Sequence, residues 1–105
     1  RWGHAIKDGG LGNERVIEML SRRNARHMGL HDRCDIAIGQ RADLNLIDPS
    51  RLDTGMPQIV RDLPAGGRRL LQKGEGYLGT WVAGHAVARH GEVTQARPGK
   101  LVRLN

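Results

Sequence analysis

The part of the sequence whose residue types best suit chemistry is a cluster of metal-ligating side chains near the end of its first third. The cluster consists of His27, His31, Asp32, Cys34 and Asp35. Imidazole and thiolate groups are good zinc ligands. His27 and His31 would share a helical face only in a continuous helix, and Gly29 between them predicts a helix end. Their spacing also matches no standard zinc pattern, so surface positions are favoured over a metal site.

Cys34 and His31 offer a second chemistry, because a thiolate beside an imidazolium is a nucleophile in Cys-His enzymes. The sequence shows no orienting group or oxyanion pocket for such a pair, and neighbours in sequence are seldom catalytic partners. We therefore assign no catalytic, cofactor-binding or metal-ligating residue within the chain, and we expect no cofactor in it.

Two loops have the composition of anion-binding sites. Residues 74–79 spell G-x-G-x-x-G, which cradles a pyrophosphate when a helix follows. Here the β-type run Thr-Trp-Val-Ala follows at 80–83, so a glycine-relieved or bulged start of a strand is favoured. Residues 62–69, Asp-Leu-Pro-Ala-Gly-Gly-Arg-Arg, could gather backbone amides and guanidiniums around a carboxylate, but a turn with solvated arginines is favoured.

The elements that would position these residues change type along the chain. Asn13 predicts the N-cap of a first amphipathic helix, and residues 2–7 predict the end of an earlier one. Ser21 predicts the cap of a further helix that stops at Gly29.

After Gly39 the helical periodicity disappears, and short apolar runs alternate with turn residues. Gly84 predicts a tight hairpin, and His90-Gly91 predicts the next turn. The candidate strands are 43–47, 58–61, 69–73, 77–83, 85–89 and 101–103. The expected fold class is α+β, with N-terminal short helices followed by a small antiparallel or mixed β-sheet in one compact body.

Bulk composition predicts a thin core. The 105 residues suffice for one domain, but there is no Phe, and the aromatics are Trp2, Tyr77 and Trp81. Because Cys34 is the single cysteine, an internal disulfide is excluded. Small domains with thin cores need a metal or a partner surface when they lack disulfides.

The formal charge of +6 raises the question of an acidic partner such as nucleic acid. The basic residues are scattered among acids, and aromatics for base stacking are scarce, so a solvated surface is favoured over nucleic-acid binding. No apolar run approaches the length of a membrane span, and we expect no membrane partner. A lone thiol suits a reducing compartment, so the expected location is cytoplasmic.

Three stretches occur in an order that matters as much as their spelling. The first is MGLHDRC at 28–34, continuing through GQRADLNLIDP at 39–49, and the second is DLPAGG at 62–67. The third begins with GY at 76–77 and continues through TWVAG at 80–84, GEVT at 91–94 and ARPGKL at 96–101. Together they resemble the C-terminal part of metal-dependent amidohydrolases, specifically the N-acyl-D-amino-acid deacylase (D-aminoacylase) group.

The resemblance covers nearly the whole chain, and its first stretch is similar to the family's "GL-x-DRG … G-x-x-AD" passage. Cys34 departs from that passage, where the family has Gly. If the backbone there requires a positive φ, a cysteine costs stability.

The resemblance implies a parent enzyme in which a (β/α)₈ barrel carries the metals and N- and C-terminal segments form a small β-sandwich. Residues 1–38 would then be the last barrel helices, and 39–105 the C-terminal share of the sandwich. The family's metal ligands come from segments upstream of this sequence. None of the five histidines matches a ligand motif: His4, His27, His31, His85 and His90. Zinc is expected in the full-length family enzyme and not in this chain.

The expected function is therefore that of a non-catalytic C-terminal segment of an enzyme that hydrolyses the amide bond of N-acyl (D-)amino acids, inactive by itself. Expected partners are further copies, joined through exposed sheet edges as a homo-oligomer, or the missing N-terminal part of the enzyme. The alternative is a small basic binding or assembly module that docks a protein or nucleic acid.

Overall fold

The computed structural model describes residues 11–103. The predicted helix end at 2–7, and His4, lie outside the described residues. Within them the chain is a small α+β protein, with one helical stretch followed by short antiparallel strands.

The helical stretch is continuous over 13–27. It consists of α1 (Asn13–Ile17), a π-helical turn (Glu18–Arg22) and α2 (Arg23–His27). The prediction that Ser21 starts a second helix is wrong, because its Oγ instead donates to the Ile17 carbonyl oxygen at 2.7 Å, within the π-helical turn. Asn13 is not the N-cap either, since Gly12 occupies that position with no side-chain cap bond.

The C-terminal end of the helix follows the prediction at Gly29. This glycine has φ +72°, and its N–H donates to the Arg26 carbonyl oxygen at 3.1 Å. The Leu30 N–H donates to the Ala25 carbonyl oxygen at 2.8 Å, which completes a Schellman motif. The helix therefore stops before His31, and the two histidines do not share a helical face.

Eight short strands follow, and all of their pairings are antiparallel. They are β1 (Leu44–Ile47), β2 (Asp53–Thr54), β3 (Gln58–Val60), β4 (Arg69–Leu71), β5 (Gly74–Glu75), β6 (Tyr77–Val82), β7 (His85–Arg89) and β8 (Glu92–Val93). The main sheet has the order β1-β6-β7-β8, while β2 pairs with β5 and β3 pairs with β4. The sheet is thus antiparallel rather than mixed.

Two tight turns shape the main sheet. Ala83 and Gly84 join β6 to β7 with φ of +49° and +79°. His90 and Gly91 join β7 to β8 with φ of +48° and +80°. Two successive left-handed residues match the right-handed twist of antiparallel strands, so both predicted turns are confirmed.

The predicted strand at 101–103 is wrong. The position beside β7 is taken by β8, which follows its turn directly and pairs Val93 with Ala88. Leu101 is 80% exposed and, after Pro98 and Gly99, forms no strand. A local hairpin forms at a smaller loop-closure cost than a pairing across a longer loop.

The hydrophobic core is small. Among the described residues, the buried apolar side chains are Val16 and Ala25. The chain exposes 8806 Å² of accessible surface, whereas a compact protein of this mass exposes about 5,800 Å². Its radius of gyration is 16.1 Å, against about 13 Å for a compact domain of this length. The prediction of a thin core is confirmed.

Candidate functional site

The side chains of the candidate metal cluster do not come together. His27 ends α2, and His31 and Cys34 lie exposed in the loop that follows. Within residues 11–103, no three His, Cys, Asp or Glu side chains are grouped so that they could hold a metal ion. These residues therefore do not fit a zinc site.

The G-x-G-x-x-G stretch lies on two strands and is not followed by a helix. Gly74 belongs to β5 and Gly79 to β6, and the β1–β6 register shifts between Leu46 and Ile47. Gly76 has φ +84°, and a Cβ there would lie 2.9 Å from the Leu52 Cα. The interpretation of these glycines as a glycine-relieved or bulged start of a strand is confirmed.

The loop at 62–69 is a turn between β3 and β4. The Asp62 carboxylate accepts hydrogen bonds from Arg69 Nε at 2.8 Å and from Nη2 at 2.6 Å. This guanidinium holds the pKa of Asp62 below its usual value. The stretch is thus a turn, as expected, but Arg69 is paired with Asp62 rather than solvated.

The most connected group of charged side chains lies between the helix and the sheet. We call it the Asp43 network, and it consists of Asp32, Arg33, Arg41 and Asp43. Arg33 binds Asp32 through Nε and Nη2, both at 2.9 Å, and its Nη1 lies 3.8 Å from Asp43 Oδ2. Arg41 Nε lies 2.9 Å from the same Asp43 oxygen. The side chains of Arg33, Arg41 and Asp43 are 17, 27 and 29% exposed, so solvent screens them only in part.

Asp43 also binds the β6–β7 turn. It thereby attaches the segment at 28–43, which we call the connection, to the main sheet. Its Oδ1 accepts the Ala83 N–H at 2.8 Å, and the neighbouring Ala42 carbonyl oxygen accepts the Gly84 N–H at 2.9 Å. Partial burial raises the pKa of Asp43, but the Ala83 N–H and the Arg41 guanidinium together outweigh it and leave this pKa below its ordinary value.

Two further contacts tie the loop to its surroundings. Arg22 Nε in the helix lies 2.9 Å from Asp35 Oδ1, and the Arg41 N–H donates to the Asp32 carbonyl oxygen at 2.7 Å. Together with the Asp43 network, these contacts hold residues 30–43 between the helix and the sheet. The four residues of the network lie within the first motif stretch, but their spacing in the sequence did not predict that they bind one another.

Cys34 lies inside this loop with φ +68°. This is the left-handed conformation that glycine adopts freely and that other residues adopt at a cost. The predicted condition for strain at this position is therefore met.

One open cavity of about 250 Å³ lies among the described residues, on the main sheet. It is lined by Lys73, Gly74, Tyr77, Gly79, Thr80, Ala88 and Gly91. The Lys73 ammonium lies 3.1 Å from Glu92 Oε1, and the lining holds no carboxylate, imidazole or thiol.

No helix in the part of the chain that the structure describes is long and apolar enough to cross a bilayer. The charged groups described above connect the helix to the loop through Arg22 and Asp35, and the loop to the β6–β7 turn through Asp43. Comparisons of the chain with known protein families, with curated proteins and with solved structures find no match in any of the three.

Proposed function

We propose that this chain is the non-catalytic C-terminal segment of a metal-dependent amidohydrolase that hydrolyses the amide bond of N-acyl (D-)amino acids. Its role there is to complete a β-sandwich beside the catalytic barrel, and the zinc and its ligands belong to the barrel. The cytoplasm is the proposed location, since the exposed Cys34 thiol suits a reducing compartment.

The observation that carries the proposal is the excess of exposed surface. The chain exposes about 3,000 Å² more than a compact protein of its mass. An obligate interface removes on the order of 1,000–2,500 Å² from each partner. A segment that packs against a barrel and further strands would lose surface of this size.

The Asp43 network supports the same proposal. The first of the three stretches that carry the family resemblance, at 28–49, contains the network, and its charged residues bind to one another and to the β6–β7 turn. These contacts fix the loop to the sheet, which is a structural role that a non-catalytic segment would retain.

The alternative of a basic nucleic-acid-binding module has less support. Many of its basic side chains lie within 4.0 Å of a carboxylate, namely Arg15, Arg22, Arg23, Arg33, Arg41, Arg69 and Lys73. Paired cations release fewer counterions from phosphates. Oligonucleotide affinity that falls steeply with salt would favour this alternative over the amidohydrolase proposal.

The test is complementation of an N-acyl-D-amino-acid deacylase from which the corresponding C-terminal segment has been deleted. Addition of the purified chain should raise hydrolysis above that of the truncated enzyme alone. The chain by itself, with and without added Zn²⁺, should show neither turnover nor stoichiometric metal. Turnover by the chain alone would contradict the proposal. A chain that does not bind the truncated enzyme, or that binds it without raising its activity, would contradict it too.

A further inference from the structure

Among residues 11–103, the two outer strands of the main sheet differ in how well they resist pairing with another chain. Strand β8 has two residues, and its Glu92 carries a charge paired with Lys73 at 3.1 Å. Strand β1 has four residues, Leu-Asn-Leu-Ile, with no charge and no proline. Natural sheets protect their edges with short strands, charges or proline, so β8 is protected and β1 is not.

The face of β1 is apolar as well as unprotected. Leu44 and Leu46 point to the same side of the sheet and are 40% and 53% exposed. Leu44 pairs with Trp81 of β6, so the leucines continue an apolar strip rather than standing alone. Asn45 points to the other side, where its Oδ1 accepts the Thr80 hydroxyl at 2.8 Å.

We infer that β1 is a self-association edge, on which β1 of a second copy pairs antiparallel about a two-fold axis through Asn45. In this register Leu44 of each copy lies opposite Leu46 of the other, and the two Asn45 residues face each other. The strand is thus complementary to itself, as an isologous interface requires.

The +6 charge of the chain opposes association in general, but the four residues of β1 are uncharged, so no like charges within the strand face each other across this edge. The self-pairing is independent of the function proposed above. The self-pairing applies when no other strand pairs with the free edge of β1.

The first experiment is sedimentation of the wild-type chain over a range of concentrations, compared with Leu46→Lys and Val93→Lys. Val93 is the matched control, since it is 75% exposed on the other outer strand of the same sheet. The wild type and Val93→Lys should both dimerise. Leu46→Lys should raise the dimer dissociation constant by roughly tenfold or more, because each copy brings a lysine to the shared face.

A second experiment does not depend on the effect of lysine on folding. In a Cys34→Ser background, Asn45→Cys should form an intermolecular disulfide, since directly paired residues have Cα atoms about 4.5–5.5 Å apart. Val93→Cys in the same background should still dimerise through β1 but should form no intermolecular disulfide.

A wild-type chain that stays monomeric at every concentration would overturn the self-pairing. Equal cross-linking at positions 45 and 93 would overturn it too. Neither result would touch the amidohydrolase proposal, which depends on complementation.

Discussion

The connection at 28–43 and the hairpins of β6, β7 and β8 are held by different forces. Charged side chains hold the connection, with the Asp43 carboxylate between Arg33, Arg41 and the Ala83 N–H. The hairpins are held by main-chain pairing and by left-handed turn residues. Substitutions that strain the backbone should therefore destabilise the sheet, whereas substitutions that remove a charge should destabilise the connection.

The largest expected effect is on the sheet side, at Gly76. Gly76→Ala places a Cβ 2.9 Å from the Leu52 Cα at φ +84°, so it adds a backbone clash to left-handed strain. We expect a loss of about 2–4 kcal/mol in the free energy of unfolding, measured by urea denaturation.

Gly91→Ala is the matched control, with φ +80° and no atom within 4 Å of the added Cβ. It should cost only about 1–2 kcal/mol, from the left-handed strain. Equal losses for the two variants would show that the approach of Gly76 to Leu52 does not matter.

On the connection side, the strongest substitution is Asp43→Ala. It removes two ion-pair contacts and leaves the Ala83 N–H without its carboxylate partner. We expect a loss of about 1–2 kcal/mol in urea denaturation. Asp62→Ala, which breaks the exposed pair with Arg69, should cost less. The reverse ranking would contradict the role given to the Asp43 network.

Acid should weaken the connection before it affects the hairpin turns. The folded chain lowers the pKa of Asp43, so this carboxylate stabilises the fold above its unfolded pKa of about 3.9. That stability is lost as the pH falls through the lower, folded pKa. Unfolding free energy should therefore decrease below about pH 4. The decrease should be smaller in Asp43→Asn, and an identical pH profile would argue against the network.

The smallest expected effect is a gain at Cys34, the non-glycine residue of the connection that has a left-handed backbone. Cys34→Gly relieves the left-handed strain at φ +68° and should stabilise the chain by about 0.5–1 kcal/mol. Cys34→Ala keeps a Cβ at the same φ and should give no gain. A similar gain for both variants would assign the effect to the thiol instead.

Local signals in the sequence predicted the helix end and the turns well. Gly29, Gly84 and Gly91 all adopt the left-handed backbone that their positions indicated. The prediction at Ser21 was wrong, because the sequence alone does not distinguish a serine inside a helix from a serine that caps one. It also missed the β2–β5 pair, since two-residue strands carry no periodicity.

The candidate site was only partly predictable. The sequence suggested that His27, His31 and Cys34 fall on a helix end and a loop, and the structure places them there. The Asp43 network could not be derived, because a run of mixed charges does not indicate which carboxylate meets which guanidinium.

The sequence by itself determined the α+β class, the end of the helix at Gly29 and the two hairpin turns, because glycine and residue periodicity act on the backbone within a few residues. The tertiary structure alone decided that Asp43 joins the connection to the Ala83 turn and that β1 lies at the edge of the main sheet within the described residues. Both depend on segments 30 to 40 residues apart meeting in space. That meeting reflects packing and chain closure rather than local preference.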